Sequence, residues 1–124
     1  MIAGLGTDLV EVDRMQEVLN RQVEMSELIF SPREIAYCET QANKFENYAA
    51  RFAAKEAFFK ALGTGWLSGT AFNEVEIINN ANGKPEIVLS GNTADVIVPM
   101  GFTNITVSLT HVKTMASATV IIEK

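Results

Sequence analysis

The longest regular pattern of apolar and polar residues lies in the middle of the chain, at residues 49–62. This stretch is rich in alanine, phenylalanine, leucine and charged residues and contains no helix breaker, so it predicts a helix that ends at Gly63. Alanines fall on one side of this helix and aromatic residues on much of the other, which predicts that the helix is buried. The alanine stripe comprises Ala50, Ala53, Ala54, Ala57 and Ala61.

The central helix also carries Arg51, Lys55, Glu56 and Lys60, and a buried helix must pair such side chains or direct them into a wet cleft. Glu56 and Lys60 are four residues apart and share a face, so one interpretation is an ordinary helical ion pair of little energetic weight. The aromatic surroundings and the Gly-Thr-Gly sequence of residues 63–65 favour a second interpretation, a ligand close to this end of the helix.

Residues 1–10 predict a strand, in which Gly4 and Gly6 indicate a bulge or a close approach of another backbone. Asp8 is a carboxylate within this apolar run. It is interpreted either as the N-cap of the helix that follows or as a ligand-binding residue.

Residues 11–22 predict an amphipathic helix on which Arg14 and Arg21 lie two turns apart on one side. That side is either solvated or a docking face for an acidic partner helix. A second helix is predicted from Ser31 to about Thr40, because residues 31–34 form a Ser-Pro-Arg-Glu capping box.

The second half of the chain predicts four strands and one short helix. The strands are residues 74–78, 86–89, 104–110 and 115–122, the short helix is residues 93–98, and the first two strands are joined at the Asn82-Gly83 turn. The order of elements predicts an α+β fold, with one domain over residues 1–124 and the long central helix packed on a small antiparallel sheet. His111, predicted at the tip of the last hairpin, is either structural or part of a phosphate-binding group with Ser108, Thr110 and Lys113.

The composition narrows the function classes. The formal net charge of −5 disfavours nonspecific nucleic-acid binding, although cations gathered locally suit an anionic ligand or an acidic partner. Cys38 is the only cysteine, which excludes an internal disulfide and suggests a reducing cytoplasm. The apolar start of the chain is broken by Gly4, Gly6 and Asp8, so we expect neither a signal peptide nor a membrane span.

Several motifs together resemble the 4′-phosphopantetheinyl transferases, and most closely the small bacterial class that acts as holo-acyl-carrier-protein synthases. The run Arg-Phe-Ala-Ala-Lys-Glu at 51–56, followed by Lys60 and Gly-Thr-Gly, is close to diagnostic. The other matching pieces are Gly6-Thr7-Asp8 with Arg14, residues 30–34, Ala61, Gly83-Lys84-Pro85, residues 108–111 and residues 118–122. They occur in family order, and the resemblance covers essentially the whole chain.

The resemblance implies transfer of the phosphopantetheine arm of coenzyme A to a serine of apo acyl carrier protein in fatty acid biosynthesis. Adenosine 3′,5′-bisphosphate is the leaving product. It implies that Asp8 and Glu56 bind Mg²⁺, that Lys60 neutralises or protonates the leaving phosphate, and that the base is Glu56 or a metal-bound water that Glu56 orients.

The resemblance further implies a homotrimer with coenzyme A bound between neighbouring subunits. Arg51 and Gly63 would contact the ligand from the central helix, and Arg14 and Arg21 would dock the carrier protein. From the adjacent subunit, the site would be completed by Gly83, Lys84, Pro85, Ser108, Thr110 and His111.

One position departs from the larger, two-lobed members of the superfamily. They carry a third acidic metal ligand where this chain has Val10, so a water is expected to fill that coordination position, as in the small trimeric class. Two other functions remain open: a nonenzymatic module that binds a nucleotide or coenzyme A, and a structural oligomer whose helix charges only form ion pairs.

Overall fold

The computed structural model describes all of residues 1–124 and has the predicted α+β fold. Its strands are β1 (Ile2–Glu11), β2 (Val75–Asn79), β3 (Pro85–Leu89), β4 (Asn104–His111) and β5 (Met115–Glu123). Its α-helices are α1 (Val12–Arg21), α2 (Glu24–Ile29), α3 (Pro32–Glu39), α4 (Lys44–Leu62) and α5 (Gly91–Ile97). Short 3₁₀ turns occur at Phe72–Glu74 and Val98–Met100. No helix is both long enough and apolar enough to cross a bilayer.

The strands form two antiparallel sheets. The larger sheet has the order β1-β5-β4, with Asp8 opposite Ala118 and Ser108 opposite Thr119, and the smaller sheet pairs β2 with β3. Helix α4 covers one face of the larger sheet, which we call the inner face. It packs there on buried residues of β5: Ala116, Ala118, Val120 and Ile122.

Two glycines set the distance between β1 and α4. A Cβ added at Gly6 would lie 1.9 Å from the carbonyl oxygen of Ala57, and one added at Gly4 would lie 1.9 Å from that of Ala61. The close approach predicted from Gly4 and Gly6 is therefore confirmed, and it is made against the alanine stripe. The register also shifts between Ile2 and Gly4, as expected for a bulge.

The predicted helix ends agree with the structure where the sequence carries a specific signal. Gly63 ends α4 in the left-handed conformation, with φ of 76°. At the start of α3, Ser31 Oγ accepts a hydrogen bond from the Glu34 amide, and Glu34 Oε1 accepts one from the Ser31 amide at 2.9 Å. This is the predicted capping box.

Lys55 anchors α4 to its surroundings through a fully buried ammonium group. Its Nζ donates hydrogen bonds to Glu34 Oε1 at 2.7 Å and to the carbonyls of Phe72 at 2.9 Å and Val75 at 2.6 Å. Glu34 in turn accepts a hydrogen bond from the Ile77 amide at 3.0 Å. Lys55 therefore joins α4 to α3 and β2 inside the protein and lines no cleft.

Some predictions of local structure were wrong. Helix α4 begins at Lys44 rather than at Ala49, and α2, a short helix that buries Ile29, lies where the sequence predicted no element. Asp8 is not an N-cap: it lies inside β1, and Glu11 precedes α1 without a side-chain cap. His111 is the last residue of β4 rather than part of the hairpin tip.

Candidate active site

Three charged residues from two elements meet at the edge of the inner face. Asp8 points from β1 toward α4, and Lys60 Nζ donates hydrogen bonds to Asp8 Oδ1 at 2.8 Å and to the Thr7 carbonyl at 3.2 Å. The Asp8 side chain is 13% exposed and that of Lys60 is 56% exposed. Hydrogen bonding to Asp8 raises the pKa of Lys60, so its ammonium is stabilised at the mouth of the site.

Glu56 is the unpaired member of this group. It is half-buried, it accepts no hydrogen bond, and the simple Glu56–Lys60 ion pair considered from the sequence does not form, because Lys60 turns to Asp8. Burial, and then the nearby charge of Asp8, raises the pKa of Glu56 against the opposing effect of Lys60. A carboxylate held close to another carboxylate without a full set of partners is typical of a metal or catalytic site.

A cleft of about 630 Å³ opens on one side of Asp8 and Glu56. Its far wall is formed by α1 and α2, with Arg14 beside the apolar side chains of Met15, Val18 and Met25. A substrate could therefore reach the two carboxylates along a mostly apolar surface that has one cation, Arg14, at its border.

A smaller pocket of about 190 Å³ lies at the other side of Glu56 and Lys60. Three aromatic side chains, Phe59, Trp66 and Phe72, form its wall, with ring centroids 5.5–5.7 Å apart. The sequence analysis did not predict this pocket. The single tryptophan, Trp66, directly after Gly65, is the one feature of the sequence that could have indicated it.

Arg51 lies on the same helix but is enclosed, with 3% of its surface exposed. Its guanidinium stacks on the Tyr37 ring at 4.4 Å, and its Nη2 lies 3.5 Å from Asn79 Oδ1 at the end of β2. No carboxylate pairs with it, and its buried Nε has no partner. Arg51 is therefore a guanidinium with donor capacity left over for an anion.

The predicted Gly-Lys-Pro turn lies beside β4 and is stabilised by hydrogen bonds to the Asn80 side chain. Gly83 has φ of 81°, and Asn80 Oδ1 accepts hydrogen bonds from the amides of Asn82 at 2.8 Å and Lys84 at 3.0 Å. Lys84 and Pro85 lie along a groove of about 300 Å³ whose other wall is β4, at residues 104–107.

The polar residues near the end of β4 do not form one cluster within the chain. Ser108 and Thr110 alternate with inward-facing Val107 and Leu109, so they lie on the outer face of the larger sheet. His111 turns the other way, and its Nδ1 lies 2.9 Å from Glu46 Oε1 in the first turn of α4. The Lys113 side chain makes no ion pair.

The predicted site residues therefore divide into two groups on opposite faces of one sheet. Asp8, Glu56 and Lys60 lie at the inner face, next to Gly63 at the end of α4, whereas Ser108 and Thr110 lie on the outer face. Within one chain, the sheet itself separates the two groups.

The two arginines of α1 have different surroundings. Arg21 forms an exposed ion pair with Glu17 at 2.6 Å. Arg14 makes no ion pair and borders the cleft that holds Asp8 and Glu56. Arg14 is thus the freer cation for an acidic partner.

Comparison with known proteins identifies the family. Residues 4–111 match the family model of the 4'-phosphopantetheinyl transferase superfamily. A relative from Solibacter usitatus, named holo-[acyl-carrier-protein] synthase, is 48% identical over 124 residues, with 99% of each chain covered.

Solved structures agree with that assignment. The crystal structure of holo-[acyl-carrier-protein] synthase from Neisseria meningitidis has a TM-score of 0.91 at 30% identity, with 100% of both chains covered. A holo-(acyl-carrier-protein) synthase from Bacillus anthracis, crystallised in complex with CoA (3',5'-ADP), has a TM-score of 0.82 at 31% identity, covering 100% of this chain and 98% of that one. The chain belongs to the 4′-phosphopantetheinyl transferase superfamily and, within it, to the holo-[acyl-carrier-protein] synthase family.

Proposed function

We propose that the protein transfers the 4′-phosphopantetheine group of coenzyme A to a serine of apo acyl carrier protein. The products are holo acyl carrier protein and adenosine 3′,5′-bisphosphate, and the pathway served is fatty acid biosynthesis in the cytoplasm. Residues 1–124 act as one transferase domain, since α4 contributes to both apolar cores of the chain. The observation that carries the proposal is the group of Asp8, Glu56 and Lys60 at the mouth of a substrate-sized cleft, in a chain of this family.

The two carboxylates have the chemistry of a magnesium site. Glu56 accepts no hydrogen bond, and burial and then the nearby charge of Asp8 disfavour its anionic form, so a divalent cation between the two carboxylates would stabilise both. No group of three or more metal-ligating side chains is present, and Val10 occupies the position of the third acid. Bound Mg²⁺ would supply charge neutralisation of the phosphates, with water and phosphate oxygens completing its coordination.

The side chains divide the remaining tasks of phosphoryl transfer. Lys60 is exposed, charged and anchored by Asp8, so its ammonium can turn to the leaving phosphate and neutralise the charge that develops there. Glu56 accepts the serine proton, directly or through one water, and the raised pKa that burial and Asp8 give its carboxyl makes it a stronger base than an exposed glutamate. Arg51 donates hydrogen bonds from its unsatisfied guanidinium N–H groups to an anionic part of the coenzyme. Gly63 has no side chain, so the backbone at the end of α4 can approach the coenzyme closely.

The active site is completed by a neighbouring subunit of a homotrimer in this proposal. Two observations support it: Ser108 and Thr110 lie on the opposite face of the sheet from Asp8, and β1 leaves Leu5 and Leu9 exposed on that same outer face. Leu5 is 65% exposed and Leu9 is 62% exposed, and together they offer apolar surface that a neighbouring subunit can cover. The neighbour would contribute Gly83, Lys84, Pro85, Ser108, Thr110 and His111 to the adenosine and 3′-phosphate end of coenzyme A.

Mixing two inactive variants tests the shared site. Glu56→Gln damages one group, and Ser108→Ala with His111→Ala damages the other. After co-refolding, random mixing restores about a quarter of the sites, because one intact copy of each group then meets at an interface. No recovery, in mixtures that native mass spectrometry shows to be mixed trimers, would mean that each chain works alone.

The carrier protein docks on α1 in this proposal. Arg14 is an unpaired cation beside the cleft, and its neighbours Met15, Val18 and Met25 offer apolar contact. Arg14→Glu should raise the KM for the carrier about tenfold at low salt and less at high salt, since the lost contact is a charge pair. Lys124→Glu, at the end of the chain, makes the same charge change and should leave the KM unchanged. Equal effects of the two variants would refute a docking face at Arg14.

The transfer itself is tested by mass spectrometry of the carrier protein. Incubation with the enzyme, coenzyme A and Mg²⁺ should add the mass of one phosphopantetheine group, and a carrier whose target serine is replaced by alanine should gain nothing. Binding of coenzyme A without any gain in carrier mass would instead indicate a nonenzymatic coenzyme-binding module.

A further inference from the structure

The aromatic pocket beside Glu56 and Lys60 has no role in the transfer steps assigned to the charged residues. Phe59, Trp66 and Phe72 contact one another in a triangle, with ring centroids 5.5 Å apart for two of the pairs and 5.7 Å for the third. The three rings line an open pocket of about 190 Å³, and Glu56, Lys60 and Gly65 complete its lining. It is therefore an apolar recess with one charged edge.

Trp66 is the unusual member of the triangle. Phe59 is only 6% exposed, whereas Trp66 remains 58% exposed although it contacts two other rings. It is the only tryptophan of the chain and stands on the loop that leaves α4 through Gly63 and Gly65. An exposed indole at the rim of a recess leaves apolar surface in water that a bound ligand can cover.

The charged edge of the pocket fixes which part of a ligand can reach it. If the proposed function is correct, on which this inference rests, Glu56 and Lys60 lie at the phosphoryl group that is transferred. On the pantetheine side of that phosphorus, coenzyme A continues through an ester oxygen and one methylene to a carbon that bears two methyl groups. This branched carbon is the first apolar part of the arm, and it lies within a few bonds of the reacting phosphorus.

We propose that the pocket of Phe59, Trp66 and Phe72 binds the geminal dimethyl group of the pantetheine arm. Trp66 covers the two methyl groups from the solvent side, and Phe59 and Phe72 form the floor. Contact with this non-reacting group holds the phosphorus against Lys60 and Glu56, so that binding energy from the arm orients the reacting centre. Trp66 is thereby a specificity-determining residue for the donor.

The single tryptophan gives a direct readout of occupancy that does not depend on activity. Titration with coenzyme A should change the intensity and wavelength of Trp66 emission as the indole becomes covered. Adenosine 3′,5′-bisphosphate lacks the arm, so it should bind, as followed by calorimetry, and leave the emission unchanged. An equal emission change with both ligands would place adenine, not the arm, against Trp66 and would overturn the proposal. So would calorimetric binding of coenzyme A with no emission change.

Kinetics with a donor that lacks the two methyl groups provides the second test. Wild-type protein should prefer coenzyme A over the desdimethyl analogue about tenfold or more in kcat/KM, as expected for removal of small apolar groups from a fitted pocket. Trp66→Ala should lower kcat/KM for coenzyme A about tenfold but change it less than about twofold for the analogue, because the lost contact involves the methyl groups. Trp66→Phe should retain most of the preference.

Val98→Ala is the matched control, since Val98 is 70% exposed on a 3₁₀ turn away from the pocket. It should leave the preference at the wild-type value. Wild-type protein that transfers both donors equally well would refute the pocket assignment while leaving the transferase function intact. Failure to transfer from either donor would refute the proposed function, and the pocket assignment would fall with it.

Discussion

Replacement of Lys55 by methionine should destabilise the protein severely, although Lys55 touches no surface. Its ammonium is fully buried and donates three hydrogen bonds, to Glu34 and to the carbonyls of Phe72 and Val75. Methionine fills similar space but donates nothing. The Lys55→Met protein would therefore keep a buried Glu34 carboxylate without its counter-charge and two carbonyls without their donor.

The expected loss follows from these contacts. Removing one partner of a buried ion pair typically costs about 3–5 kcal/mol, because the remaining charge is left uncompensated. The Glu34 carboxylate retains hydrogen bonds from the amides of Ser31 and Ile77, which places the loss toward the lower end of that range. For a chain of 124 residues, a loss of this size should lower the melting temperature by about 10 °C or more.

Urea unfolding measures the coupling free energy between Lys55 and Glu34 when it is applied to the wild type, Lys55→Met, Glu34→Gln and the double variant. The double variant should recover part of the loss of Lys55→Met, because the neutral amide introduced by Glu34→Gln needs no counter-charge. Burial lowers the pKa of Lys55, so the ammonium carries a desolvation cost that a neutral pair avoids. A Lys55→Met protein within about 1 kcal/mol of wild type would refute the assignment of Lys55 as the anchor of α4, since that is the net value of one ordinary hydrogen bond.

Three further changes test other parts of the structure. Gly6→Ala should lower the unfolding free energy by about 1–3 kcal/mol in urea titrations, because the new Cβ would lie 1.9 Å from the Ala57 carbonyl oxygen. Unchanged stability would show that β1 and α4 are not in contact there. Glu56→Gln should be at least as stable as the wild type at pH 7 without metal, because the pKa of Glu56 is raised on folding and its ionised carboxylate therefore opposes folding. The difference in unfolding free energy should vanish at acid pH, where the carboxylate is protonated in both states. A variant less stable than the wild type at pH 7 would contradict this. Glu76→Gln should be less stable than the wild type above about pH 5, because the hydrogen bond from Arg33 holds the pKa of Glu76 below its unfolded value. The difference in unfolding free energy between the two proteins should shrink as the pH falls. A difference that does not change with pH would contradict this.

The sequence predicted the elements that carry strong local signals. The capping box at Ser31, the glycine end of α4 and the Asn82-Gly83 turn are local patterns, and each lies where it was predicted. Helix α2 has no comparable signal, since its six residues are stabilised by contacts with distant parts of the chain such as the Phe72–Glu74 turn. Local patterns cannot reveal an element that tertiary packing stabilises.

The sequence selected the charged residues of the candidate site but not their pairing. The motifs selected Asp8, Glu56 and Lys60, but spacing along one helix suggested a Glu56–Lys60 pair, whereas β1 brings Asp8 to Lys60. The sequence could not decide whether Lys55 is paired or lines a wet cleft, because it gives the charge of a side chain but not its burial. Whether a lysine meets solvent or Glu34 depends on packing between three elements.

The central claim is that Asp8, Glu56 and Lys60 carry phosphopantetheine transfer. Its most direct test is the intact mass of apo acyl carrier protein after incubation with coenzyme A, Mg²⁺ and either the wild type or Glu56→Gln. The wild type should convert the carrier to a product heavier by one phosphopantetheine group. Glu56→Gln should leave the carrier unmodified while remaining folded by circular dichroism. Equal conversion by both proteins, or none by the wild type while a known transferase modifies the same carrier, would contradict the account.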